Sequence, residues 1–208
     1  IPENTEKISS NAFINYTHLK SVTLPDSLKS IGEDAFYGTD QMESVFISNM
    51  SSWLSIDFGN GLANPLAWSD TSKLYLNGNL VTSVKAPDDI KEIKSYAFYG
   101  YSTLEEFEFH SEIDNIGASV FNETAIYNNT ENWDNGLLYV GDYLVGTEYG
   151  ISGAFEIREG TKIIAGRTFA ERTKVTSVKI PDSVTIIGQQ AFYDCSGLTN
   201  IKIPSSVT

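Results

Sequence analysis

Chemistry in this chain would have to run through two histidines, one cysteine and a recurrent carboxylate. A histidine can act as a general base and a cysteine beside one can become a nucleophile, but each needs its partner within hydrogen-bond reach. His18 stands five residues after Phe13, whereas His110 stands eleven before Phe121. If those phenylalanines are equivalent, the two imidazoles lie on different sides of the fold and form no dyad. Cys195 has no His or Lys in register to activate it, so it is expected to act as a small buried hydrophobe. A carboxylate recurs ten residues before successive phenylalanines, as Glu3, Asp26, Asp88, Glu159 and Asp182, with Ser111 as the exception. Such a column could offer Ca²⁺ hard oxygens. The ion needs six to eight of them, however, and Asp after Pro more often bonds its own backbone. Phosphate-loop, Gly-x-Ser-x-Gly and His-x-x-x-His patterns are absent. The expectation is therefore a protein that is not an enzyme and holds no metal and no cofactor.

Recognition chemistry is better represented. Trp53, Trp68 and Trp133 cluster in sequence with Tyr75, Tyr127, Tyr139, Tyr143 and Tyr149. Tryptophan and tyrosine anchor interfaces because they bury much area at small entropic cost and keep a polar handle. The same rings also serve to pin an inserted loop to a core, and that packing role outweighs ligand contact as the reading for most of them.

The elements that position these side chains follow from a repeat. Phe13 and Phe36, Phe98 and Phe121, and Phe169 and Phe192 are each 23 residues apart, as are Ile157, Ile180 and Ile203. Within one unit Val178 and Ile180 alternate with Ser177 and Lys179, the period of a strand with one buried face. Pro181 stops that strand, Val184 to Ile187 form a second, and Gly188 leads into a short helical or 3₁₀ turn that plugs the unit with Phe192. No unit this small buries its apolar side alone, so the units must stack. The register places Ser21, Thr23, Ser44, Phe46, Ser83, Lys85, Glu106, Glu108, Ala154, Glu156, Ser177, Lys179, Asn200 and Lys202 on one outward face. Phe46 is its single aromatic, and Lys85, Glu106 and Glu108 are its charged candidates.

Leu198-x-x-Ile201-x-Ile203-Pro204 and Ile187-Gly188-x-x-Ala191-Phe192-x-x-Cys195 resemble the BspA-like class of leucine-rich repeats. The resemblance implies an α/β leucine-rich-repeat solenoid, strand-rich, with rungs of about 23 residues. It also implies a bacterial protein that is secreted or held at the cell surface, and an adhesion role towards protein or glycan partners. Two departures stand out: Tyr16, Thr39, Tyr101, Thr124 and Arg172 occupy the place of Cys195 in other rungs, and Lys94 replaces one second-strand glycine.

One solenoid is expected over residues 1–208, with regular rungs at 1–47, 86–121 and 157–208 and interruptions at about 48–85 and 122–156. Leu74-Tyr-Leu-Asn-Gly-Asn-Leu80 and Leu138-Tyr-Val-Gly-Asp-Tyr-Leu144 each carry a two-residue hairpin signal, so each interruption is expected to hold a degenerate rung in which a hairpin takes the place of an ordinary one. The net charge of −13 and pI near 4.4 exclude a nucleic-acid surface, which needs clustered positive charge. No apolar run is long enough to cross a membrane as a helix, and a monomer is expected. Four Asn-x-Ser/Thr sequons would matter only in a eukaryotic secretory host. Ile1 falls at the end of a first strand and Thr208 inside a second strand, so the chain reads as a piece of a longer protein. Two functions remain open at this point: a binding or adhesion module whose contacts come from Trp53, Trp68, Trp133, Tyr75, Tyr139, Tyr143, Phe46, Lys85, Glu106 and Glu108, or a passive spacer.

Overall fold

The computed structural model describes all residues, Ile1–Thr208. The chain divides into two compact units, each a strand-rich stack of rungs: Ile1–Ile113 with Val120–Asn128, and Asp114–Ser119 with Asn129–Thr208.

In the first unit the first strands Ser21–Thr23, Ser44–Ile47 and Lys73–Leu76 run parallel, with Val22, Val45 and Leu74 in register. Their inward residues are buried and their neighbours are not, as two-residue alternation requires. The second strands Lys7–Ile8, Ser30–Ile31 and Asp57–Phe58 form a separate parallel ladder aligned on Ile8, Ile31 and Phe58. A further pair, Ser83–Lys85 and Glu106–Glu108, aligns Val84 with Phe107.

Asn77 and Gly78, with φ of 51° and 81°, make the tight turn expected between Leu74 and Leu80. The hairpin is built onto a rung strand. Its first arm, Lys73–Leu76, is itself the next rung strand, and only Asn79–Leu80 is added antiparallel to it. The preceding stretch forms helix Met50–Leu54, whose N-terminus is capped by the Asn49 side chain accepting from the Ser52 N–H at 3.1 Å.

The second unit repeats the design. First strands Gly153–Glu156, Val175–Lys179 and Asn200–Lys202 run parallel, aligning Phe155, Val178 and Ile201. The interruption here becomes an antiparallel meander of Trp133–Asp134, Leu137–Val140 and Tyr143–Thr147. Its last strand joins the parallel second-strand ladder, with Leu144, Ile164 and Ile187 in register. The hairpin again supplies a rung strand. Leu144, Phe155, Ile164, Phe169, Val178 and Val184 form the core of this unit, and Phe169 and Phe192 stack with centroids 5.1 Å apart.

The plug turn has a backbone that residue types alone do not announce. The residues two before and two after each plug phenylalanine take positive φ: Asp34 and Gly38 around Phe36, Arg167 and Glu171 around Phe169, Gln190 and Asp194 around Phe192. This alternation turns alternate N–H groups to one side. Arg167, Phe169 and Glu171 then donate to the carbonyls of Gln189, Ala191 and Tyr193 at 3.0, 2.7 and 2.7 Å. The plug segments thus form a third inter-rung ladder, and its bonds offset the cost of non-glycine left-handed residues.

Candidate functional site

The outward face of the first strands has the register expected of it, and the structure adds two members, Lys73 and Tyr75, because Lys73–Leu76 is a rung strand. Tyr75 and Phe46 are cross-strand partners, half-buried, with rings stacked at 5.2 Å and tilted by 24°. Leu80, opposite Tyr75, is exposed. One aromatic from an interruption and the lone aromatic of the regular face therefore meet. The charged residues of this face largely answer one another across rungs: Lys85 with Glu108 at 3.3 Å, and Lys179 with Glu156. Glu106 is exposed opposite Ser83.

The other candidate aromatics separate into two groups. Trp53 is 1% exposed and lies against Phe58 and Phe98, so it fills the core where a helix replaces an ordinary turn. Tyr143 is buried on the strand that joins the meander to the second-strand ladder. Trp53 and Tyr143 thus pack the interior, and Tyr139, 4% exposed, is buried as well. Trp68 is half-buried with Tyr37 packed against it edge-on at 4.5 Å, and its indole N–H is buried without a hydrogen-bond partner.

Trp133 and Tyr139 come together. The Asn135–Gly136 turn, with φ of 48° and 77°, folds Trp133–Asp134 back on Leu137–Leu138. A register shift between Leu138 and Tyr139 then re-aims the tyrosine. Before them, Asn129 caps the 3₁₀ turn Thr130–Asn132 by accepting from the Glu131 N–H at 3.1 Å. The result is a solvent-open concavity of about 200 Å³ lined by Glu131, Asn132, Trp133, Asp134, Tyr139, Gly141 and Arg158.

Arg158 was not among the sequence candidates. Its guanidinium lies 4.3 Å from the centroid of the Tyr139 ring and donates to the Gly141 carbonyl at 2.5 Å. Its backbone N–H donates to the Tyr139 hydroxyl at 3.1 Å. Burial pushes the Tyr139 phenol above its ordinary range, against the opposing effect of that N–H and of the guanidinium. The available signal was positional: Arg158 stands eleven residues before its plug Phe169, where Pro2, Pro25, Pro87 and Pro181 stand in other rungs. Unlike proline, arginine keeps an N–H to give to Tyr139. A smaller concavity of about 120 Å³ involves Tyr149, 95% exposed, with the Arg172 guanidinium 5.8 Å from its ring centroid.

Cys195, His110 and Asp26, three of the groups considered for catalysis or metal binding, are engaged elsewhere. The Cys195 thiol donates to the Phe169 carbonyl at 2.9 Å, and burial raises its pKa, which disfavours the nucleophilic thiolate. His110 sits with Nε2 3.1 Å from the Pro87 carbonyl, and its Nδ1 accepts from the Glu112 N–H. In the acidic column Asp26 accepts from the Ser48 hydroxyl at 2.7 Å. No three His, Cys, Asp or Glu side chains converge as a metal-ligand set, and no helix is long and apolar enough to cross a membrane.

Comparison with known proteins gives a family. The model of the BspA type leucine rich repeat region matches in six copies, over residues 1–58, 71–144 and 152–208. No curated protein matches the chain. Among solved structures, a leucine rich cell surface protein of Faecalibacterium prausnitzii is 22% identical, with 98% of this chain and 66% of that chain covered and a TM-score of 0.40. The pneumococcal vaccine antigen PcpA is 19% identical, with 97% and 49% covered and a TM-score of 0.41. A leucine-rich repeat protein of Bacteroides ovatus is 21% identical, with 100% and 73% covered and a TM-score of 0.33. The chain thus spans 66% and 49% of the lengths of the first two.

Proposed function

The chain belongs to the BspA-type leucine-rich repeat family, and from that premise we propose that it is a non-catalytic binding or adhesion module displayed outside the cell, with a protein or glycan as its partner. The observation that carries this reading is the concavity in which Trp133 and Tyr139 meet Arg158. Tryptophan and arginine are among the side chains enriched at binding hot spots, and the buried Tyr139 ring supports Arg158 from below. The stacked Phe46 and Tyr75 offer a second, flatter contact on the first-strand face. Extracellular exposure is supported by the family and by the Faecalibacterium relative, described as a cell surface protein.

A spacer is the competing reading, favoured by the ion pairs that couple Lys85 to Glu108 and Lys179 to Glu156 across rungs. Charges already answered within the ladder leave less for a partner. Arrays of immobilised glycans and extracellular-matrix proteins, probed with the wild-type chain, the Trp133→Ala variant and a Phe46→Ser/Tyr75→Ser double variant, separate the two. A binding module gives at least one saturable signal that one of these variants lowers tenfold or more. A spacer gives none, and that outcome would sink the proposal.

A further inference from the structure

We propose that the Trp133 concavity takes one neutral pyranose ring, so that the partner is a glycan; this rests on reading the chain as a binding module. The polar groups of the lining are of three kinds. Glu131 and Asp134 can only accept hydrogen bonds, the Arg158 guanidinium can only donate, and the Asn132 amide does both. A cationic ligand would be drawn by Glu131, Asp134 and the net charge of the chain but would meet the Arg158 guanidinium, which is held in place by Tyr139 and the Gly141 carbonyl. An anionic ligand would meet two carboxylates and the field of a chain carrying −13. Hydroxyl groups satisfy all three kinds of lining group, because each carries one donor and two acceptor sites. A pyranose presents such hydroxyls around its rim and an apolar C–H face, for which the Trp133 indole supplies the aromatic wall.

Size and supports agree with this chemistry. About 200 Å³ greatly exceeds the roughly 10–15 Å³ that one water requires and accommodates a single six-membered ring. Trp133 and Asp134 lie on a strand paired with Leu137 and Leu138, and Tyr139 is buried beneath Arg158, so the lining is mounted on paired backbone. An open depression of this size gives weak affinity per site, with a Kd on the order of millimolar.

The test is an NMR titration of the wild-type chain, following the Trp133 indole N–H and saturation transfer to ligand. The probes are methyl β-D-galactopyranoside, methyl β-D-glucopyranoside, methyl α-D-mannopyranoside, N-acetyl-D-glucosamine, N-acetylneuraminic acid and N-acetyl-arginine amide. At least one neutral sugar should saturate the Trp133 signal with a Kd of about 1–10 mM, and the acid should bind more weakly. Asp134→Ala and Trp133→Ala should each weaken that sugar tenfold or more, whereas Trp133→Phe, which keeps an aromatic face, should weaken it less. Unchanged circular dichroism confirms that the variants fold. If N-acetyl-arginine amide saturates Trp133 and no neutral sugar does, the glycan assignment is overturned while the binding-module reading stands. If no probe saturates and the arrays are also silent, both fall.

Discussion

Substituting Gly188 with alanine tests how closely the rungs are stacked. A Cβ at that position would lie 2.5 Å from the Gly166 nitrogen, 2.7 Å from the Ala165 carbonyl carbon and 2.9 Å from the Gly166 Cα, all backbone atoms of the preceding rung. Ordinary contact begins at 3.4 Å, so the overlap is 3.4 − 2.5 = 0.9 Å, close to a fifth of a strand spacing of about 4.8 Å. No side chain can swing away to relieve it, and the rungs must part. The hydrogen bonds from Gly188 N–H to the Ile164 carbonyl, 2.7 Å, and from Arg167 N–H to the Gln189 carbonyl, 3.0 Å, lie at the point of separation. Overpacking costs about 1–3 kcal/mol and each weakened bond about 0.5–1.5 kcal/mol. Alanine returns about 0.4–1 kcal/mol by restricting the unfolded chain. A net loss of about 1–6 kcal/mol follows. Gly146→Ala is the matched control, because its Cβ meets only the Leu138 side chain, at 3.5 Å, without positive φ; it should be neutral or stabilising by up to about 1 kcal/mol. Urea unfolding followed by far-ultraviolet circular dichroism measures both. If Gly188→Ala unfolds at the wild-type midpoint, or no earlier than Gly146→Ala, the close-stacking argument is wrong.

Phe169 is fully buried and stacked on Phe192, so Phe169→Ala should cost about 3–5 kcal/mol; a loss below about 1 kcal/mol in the same urea experiment would deny the plug its structural role. Burial raises the phenols of Tyr99, Tyr101, Tyr139 and Tyr143 above their ordinary value of 10.0. Their folded forms therefore hold protons that the unfolded chain releases near pH 10, and the stability they contribute is present below pH 10 and lost as pH rises through the raised folded values. Spectrophotometric titration should show a late fraction of tyrosinate absorbance that merges with the rest in denaturant, and a single early transition in the native protein would contradict this.

The ladders were legible because two signals coincide: strand alternation, as in Val178 and Ile180, and a 23-residue return of the plug phenylalanine. Interruptions obscured two rung strands. Lys73–Leu76 and Tyr143–Thr147 border hairpin turns, so local turn chemistry pointed to a degenerate rung in each interruption but not to its register, because the parallel partners, Ser44–Ile47 and Ile163–Ile164, lie at separations no local pattern reveals. The left-handed residues around each plug were illegible for a different reason: Arg167, Glu171 and Gln190 have no intrinsic preference for positive φ and adopt it under inter-rung hydrogen bonding. Among the aromatics, sequence could identify the cluster but not which rings face outward. Trp53 and Trp133 are the same residue type in similar polar surroundings, and only the packing of Phe58 and Phe98 around Trp53 divides them. Arg158 could have been found by asking what replaces the rung proline.

Acrylamide quenching of a Trp53→Phe/Trp68→Phe double variant, in which Trp133 is the only indole, tests the central claim that the meander presents an aromatic wall to solutes. The account predicts substantial quenching of Trp133, while the Trp68→Phe/Trp133→Phe variant, reporting Trp53 at 1% exposure, stays nearly unquenched. A Trp133 signal as shielded as that of Trp53, in variants that keep the wild-type circular dichroism, would contradict the existence of an open site there.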